Sequence, residues 1–232
     1  MKNLIILFLI FSITGCAALG ARRSVSNTDM SKIKNIGVVS LLGDKFNGVY
    51  VGTTIFGNES YVKDVSSWNI DDFTENKIVD TLNKSGHYVA KKLSLNTVSA
   101  DSMYSNKDRH NLDYEKLLHQ TKQKDVDTLV IVKRINYQNA PFHRSPYGFY
   151  EKTAFGSSSR CVYSLFVVEV YDTESGRDLA WEWGFPCTFG ESTIKWKLNF
   201  NAYSEKEKEL IRLKVEKSIE QNIYSALHKL GW

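Results

Sequence analysis

The stretch from Ser204 to Gly231 constrains this chain's fold more than any other. Ser204-Glu-Lys-Glu207 is a capping box, Ile211, Val215, Ile219, Ile223 and Leu227 recur every four residues, and Gly231 is a stop signal. The spacing predicts one long amphipathic helix whose apolar stripe is wide enough to cover a sheet. Its i,i+4 repeat is not the a/d heptad of a coiled coil. Strands to be covered are present. Lys32–Leu42 is apolar on both faces toward its end, as in the middle of a covered sheet, and Val126–Ile135 is the strongest buried-strand signal in the chain. Val49–Phe56 and Ser60–Val65 flank Gly57-Asn58-Glu59 and read as a hairpin. A helix is expected over Asp71–Ser85, capped by Asn69 or Asp71, with Phe73, Val79 and Leu82 on one face and Gly86 as its stop. His87–Leu95 returns as a strand, Asp113–Lys124 as a short helix, and Thr193–Phe200 as a further strand. The order predicts an α/β fold, a mixed sheet with helices packed on it and the long amphipathic helix last.

With 232 residues, 42% apolar and 24% charged, the chain has enough apolar side chains for a packed core. Its 30 Lys and Arg against 26 Asp and Glu leave a net charge of +4, far from the dense basic face that phosphate backbones need, so no nucleic-acid partner is expected.

The first sixteen residues, MKNLIILFLIFSITGC, carry Lys2, an apolar run from Leu4 to Ile13, and small residues before Cys16. That is the layout of an export signal, too short to span a bilayer as a helix. Ile13-Thr14-Gly15-Cys16 resembles the lipobox of bacterial lipoproteins. The resemblance implies that residues 1–15 are a signal peptide and that Cys16 is acylated, which gives a permanent membrane anchor. Ala17 in place of Asp implies sorting to the outer membrane, facing the periplasm. Residues 16–31, small and polar with Arg22-Arg23, read as a lipidated N-terminus and flexible tether, and 32–232 as a single periplasmic domain.

Cys161 and Cys187 remain, an even pair for an oxidising compartment. They flank two strand-like segments around Asp172-Thr-Glu-Ser-Gly176-Arg177, and folding about that turn brings them opposite each other to within a residue. A disulfide is expected, with two buried free thiols as the alternative; a one-residue slip would separate them.

The opening strand Ile36-Gly-Val-Val39, Asp125-Val-Asp127 feeding an apolar strand, and the Asp172–Gly176 turn make the mature domain similar to the periplasmic lipoprotein domains of the TolB N-terminal, CsgG and LpoB type. Val51-Gly-Thr-Thr-Ile-Phe56 and Trp68-Asn-Ile-Asp71 depart from that pattern. The resemblance implies a fold more than an activity.

Signatures of catalysis are missing: there is no H-E-x-x-H, C-x-x-C, G-x-S-x-G or phosphate loop. His87, His110, His119, His143 and His228 are not spaced as zinc ligands, and Asp108, His110 and Asp113 meet a metal only by chance. Asp71-Asp72 suits a helix N-terminus without any catalytic role. No catalytic residue, metal or cofactor is therefore assigned. One segment escapes a packing explanation. Tyr137–Arg160 mixes Phe142, His143, Arg144, Tyr147, Phe149 and Tyr150 without a period and reads as a long loop able to bind a protein partner. The expected function is a non-enzymatic interaction or assembly module of the envelope, held to the membrane by its N-terminal lipid. A cell-wall glycan-binding protein or hydrolase is the alternative, favoured by Trp68, Trp181, Trp183 and Trp196.

Overall fold

A computed structural model describes residues 24–93, 100–104, 112–121, 125–135, 145–184 and 194–232. In chain order these form α1 (Asn27–Met30), β1 (Asn35–Leu41), β2 (Lys45–Val51), β3 (Glu59–Asp64), α2 (Ile70–Lys84), β4 (Val89–Lys92), α3 (Tyr114–Thr121), β5 (Thr128–Arg134), β6 (Tyr147–Ala154), β7 (Ser157–Ser164), β8 (Phe166–Asp172), β9 (Asp178–Gly184) and α4 (Glu205–Leu230). The fold is α/β, with two mixed sheets in place of the one expected. The first has the order β4-β1-β5-β8-β9 and the second β3-β2-β6-β7.

The first sheet is covered on both faces, which is why β1 and β5 read as continuous apolar runs. Ile36, Val38, Val130, Val132, Val168 and Val170 pack beneath α2 and α4 on one side. Val39, Leu41, Leu129 and Ile131 face Leu117 of α3, with Met103 and Tyr104, on the other. α4 buries the predicted stripe completely and adds Ala226 and Leu230 to it. Its capping box is formed: Ser204 Oγ accepts the Glu207 amide at 3.3 Å, and the Glu207 carboxylate accepts the Ser204 amide at 2.7 Å. Gly231, at φ 112°, ends it. Lys77 and Glu220 join α2 to α4 at 2.6 Å.

Several expectations are corrected. Leu82 of α2 is buried as expected, but the rest of the buried face is Ile70, Thr74 and Ile78, with Phe73 and Val79 on its flanks, because the helix meets the sheet along an i,i+4 row. Asn69 is its N-cap, at φ 49°, but makes no side-chain capping bond. The folded domain takes in residues ahead of 32, from Val25 onward. Val25 is buried, its amide donates to Leu230 O at 3.1 Å, and Asp29 of α1 pairs with Arg177 at 2.7 Å. Residues 194–199 form no strand; they lead to a short 3-10 turn, Phe200–Ala202, held by the Asn199 side chain.

The segment from Cys161 to Tyr171 is two strands in two sheets, divided at Leu165. The Asp172–Arg177 turn forms as expected, with Gly176 at φ 69° and Asp172 Oδ1 accepting the Ser175 amide at 2.7 Å. The ladder it closes runs only to Phe166↔Gly184, and Cys161 lies in β7 opposite Tyr150. One hairpin therefore does not set the two cysteines against each other, and Cys187 lies outside the described residues. The segment expected as a loop to Arg160 is a β-hairpin from Tyr147 onward.

Candidate interaction surface at the tips of the second sheet

β2 and β6 are parallel neighbours, in register from Phe46↔Tyr147 to Val51↔Lys152. Both chains therefore leave the sheet at the same end. β2 continues into the connection 52–58, with a 3-10 turn at Ile55–Gly57, and returns as β3. β6 turns directly into β7 through Phe155-Gly156, both at positive φ (49° and 81°), as a two-residue type I′ turn requires. Thr53 Oγ1 donates to Thr153 O at 3.4 Å between the two tips, and Asn58 Oδ1 accepts the Gly52 amide at 3.1 Å within the first.

Each tip presents a phenylalanine to water, Phe56 at 94% exposure and Phe155 at 97%. Phe155 carries two costs at once. Its position in a type I′ turn favours Asn, Asp or Gly, and a bulky residue in the left-handed region is strained. A solvated ring contributes nothing to the core in return. Strain and exposure that do not serve folding point to a contact.

Behind the tips Trp196 is sandwiched between Tyr50 (5.7 Å between ring centres, 25°) and Tyr61 (5.2 Å, 26°). Trp196 Nε1 donates to Glu59 at 3.0 Å and its amide to Glu151 at 2.9 Å, and Arg160 pairs with Glu151 at 2.8 Å. Trp68 joins Phe46 and Phe200 in the core. Trp181 and Trp183 lie half-buried on one face of β9, their rings 6.1 Å apart.

The structure divides the binding residues expected from sequence. Tyr147 and Phe149 are fully buried and Tyr150 nearly so, all three on β6 within the hydrophobic clusters, so they are core and not a recognition surface. Phe142, His143 and Arg144 lie outside the described residues, as does Cys16. The sequence reading missed Phe56 and Phe155. Their signal was a Phe-Gly pair in each hairpin, a turn motif carrying a ring where a polar residue belongs.

A second cluster lies at the carboxyl end of β1. Asp71 Oδ1 accepts Ser40 Oγ at 2.6 Å and the Leu42 amide at 2.8 Å, and its Oδ2 accepts the Gly43 amide at 2.9 Å. One turn along α2, Glu75 accepts the Ser40 amide at 2.9 Å, taking the place of a strand beyond the end of β4. Tyr104, Arg134 Nε and Tyr147 donate to the carbonyls of Leu41, Leu42 and Gly43 at 2.7–2.8 Å. Burial raises both carboxyl pKa values, that of Glu75 to about 7, while the hydrogen bonds from residues 40–43 oppose the rise. Asp72 turns instead to Lys92 at 2.5 Å and Asn76 at 2.9 Å. Asp71 and Asp72 thus diverge, and Asp71 spends its acceptors on backbone and serine donors that tie a strand end to a helix. His87, His119 and His228 are exposed, and among the described residues no His, Cys, Asp and Glu cluster as metal ligands.

No protein-family model and no curated protein matches the sequence. Solved structures similar in outline include protein XCC0632 from Xanthomonas campestris, of family DUF330, at 10% identity over 83% of this chain and 80% of that one, TM-score 0.39. Another is a PelC dodecamer from Paraburkholderia phytofirmans, at 8% identity over 87% of this chain and 92% of that one, TM-score 0.32. Likenesses this faint say nothing of what the chain does. Among the described residues no helix is long and apolar enough to cross a membrane.

Proposed function

We propose that this chain is a bacterial envelope lipoprotein, acylated at Cys16 and held at the periplasmic face of the outer membrane, whose α/β domain acts without catalysis as a contact module. The observation that supports it is Phe155: a strained, almost fully exposed ring, with a second exposed ring, Phe56, at the tip of the neighbouring hairpin of the same sheet. The carboxylates with raised pKa values, which would favour a hydrolase, are engaged in closing β1. A Cys161–Cys187 disulfide belongs to the same proposal, since Cys161 is buried and the periplasm is oxidising. It would tie the segment after β9 to β7 rather than close a single hairpin.

The test is Phe56→Ser with Phe155→Asn. Asn suits the left-handed turn position, so the double variant should melt no lower than the wild type. It should lose the envelope components that the wild type captures by cross-linking in intact cells. Undiminished capture by a folded double variant would refute the contact reading.

A further inference from the structure

We infer that the partner of these tips is a phospholipid surface, with Phe56 and Phe155 entering the boundary between headgroups and acyl chains. The inference rests on the reading of the tips as a contact surface and names what they contact. Three observations carry it. First, the connection 52–58 and the segment 153–159 contain no Asp, Glu, Lys or Arg, so insertion strips water from no charge. Second, the charged side chains begin one step behind. Lys152 is exposed three residues before Phe155, roughly 10 Å along the strand, and Glu59 is exposed at the start of β3. Interfacial side chains bury to a depth of about 5–10 Å, which leaves these charges among the headgroups. Third, the rings stand on turn tips whose other residues, Ile55 and Ala154 apart, are Gly, Thr, Ser and Asn. Protein hot spots lie in desolvated pockets ringed by further contacts, whereas a fluid bilayer closes around a wedge of any shape. The Tyr50–Trp196–Tyr61 stack lies on the same side of the molecule and supplies rings of the kind that sit at membrane interfaces.

Each ring moved out of water adds roughly tenfold to a hundredfold to partition. Two rings together add roughly a hundredfold to ten-thousandfold, a hold weaker than that of a single myristoyl chain, reversible alone and useful beside a second anchor. With Lys152 and Arg160 balanced by Glu59 and Glu151 behind the tips, the attraction should not need anionic lipid.

All described elements lie after residue 23, so the chain from residue 16 onward, carrying Cys16→Ser to exclude acylation, keeps the fold. This protein should sediment with vesicles of phosphatidylcholine and phosphatidylethanolamine, equally at 50 and 500 mM salt, salt levels chosen to span weak and strong screening (Debye lengths of roughly 14 and 4 Å). Phe56→Ser with Phe155→Asn should lower partition at least tenfold, and Phe56→Leu with Phe155→Leu should keep most of it. Absent partition, or partition that the Ser/Asn variant leaves unchanged, overturns the lipid assignment. If partition is absent while cross-linked capture in cells still depends on the two rings, the lipid assignment falls and the contact reading stands. If neither depends on them, both fall.

Discussion

Glu75 holds the Ser40 amide with a carboxyl whose pKa burial has pushed up to about 7, so the folded protein keeps a proton that the unfolded chain releases near the ordinary glutamate value of about 4.3. Stability from this group is full at low pH and is lost as pH rises through about 7, by at most about 3 kcal/mol given its partial exposure. Asp71, shifted the same way, adds to the trend. Glu75→Gln keeps an acceptor for Ser40 and carries no charge. The wild type should lose urea resistance between pH 5 and 7.5 relative to this variant, and parallel profiles would show that Glu75 does not titrate in that window. None of this was legible in the sequence, where Asp71-Asp72 reads as a dipole pair and Glu75 carries no signal of its own. Their roles depend on β4 ending short of Ser40, which is a tertiary fact. Tyr147, Phe149 and Tyr150 mislead for a related reason: β6 is covered on both faces, so its aromatics show no alternation.

Three cross-strand pairs of the hairpins set an aromatic ring over a glycine: Gly48 under Tyr61, Gly148 under Tyr163 and Gly184 under Phe166. The rings fill the space a Cβ would occupy, and the pairs fix register where small residues alone would let a strand slip. Gly148 is the tightest, since a Cβ there would lie 1.9 Å from Asn47 O, a backbone atom that cannot turn aside. Gly148→Ala should therefore cost about 2 kcal/mol or more, read as a lower urea midpoint. Gly184→Ala should cost less, because a Cβ there meets only the Phe166 ring. An equal cost at the two sites would contradict this account. Elements with one strong period were legible: α4 from its stripe, β1 and β5 from their apolar runs, the β8–β9 turn from its Asp and Gly. The β6–β7 hairpin was not, because Gly156-Ser-Ser-Ser159 has the composition of a loop and Phe155 occupies a turn position that favours Asn or Gly.

The described chain begins beside the carboxyl end of α4 and presents Phe56 and Phe155 toward the other end. Val25 bonds to Leu230 at the last turn of α4, while α4 begins next to the Trp196 stack, where Lys197 pairs with Glu207 at 2.7 Å. Cys16→Ser should release the protein from sedimented outer membranes and abolish palmitate labelling, leaving only the weak hold of the tips. Retention with labelling intact would refute the lipobox assignment. The apolar run, small residues and cysteine carry the anchor proposal from sequence alone, whereas the position of the tips relative to the N-terminal end of the described chain required the whole fold. With 26 residues α4 is about 39 Å long, and residues 17–24 fully extended reach at most about 29 Å. The long axis of α4 is thus longer than the chain that separates it from Cys16. If the proposed anchor and the two rings met one leaflet, the two contacts would lay α4 along the membrane and leave the domain free to turn only about the line that joins them. If the rings met a second surface instead, the distance between that surface and the proposed anchor would be set by the length of one helix.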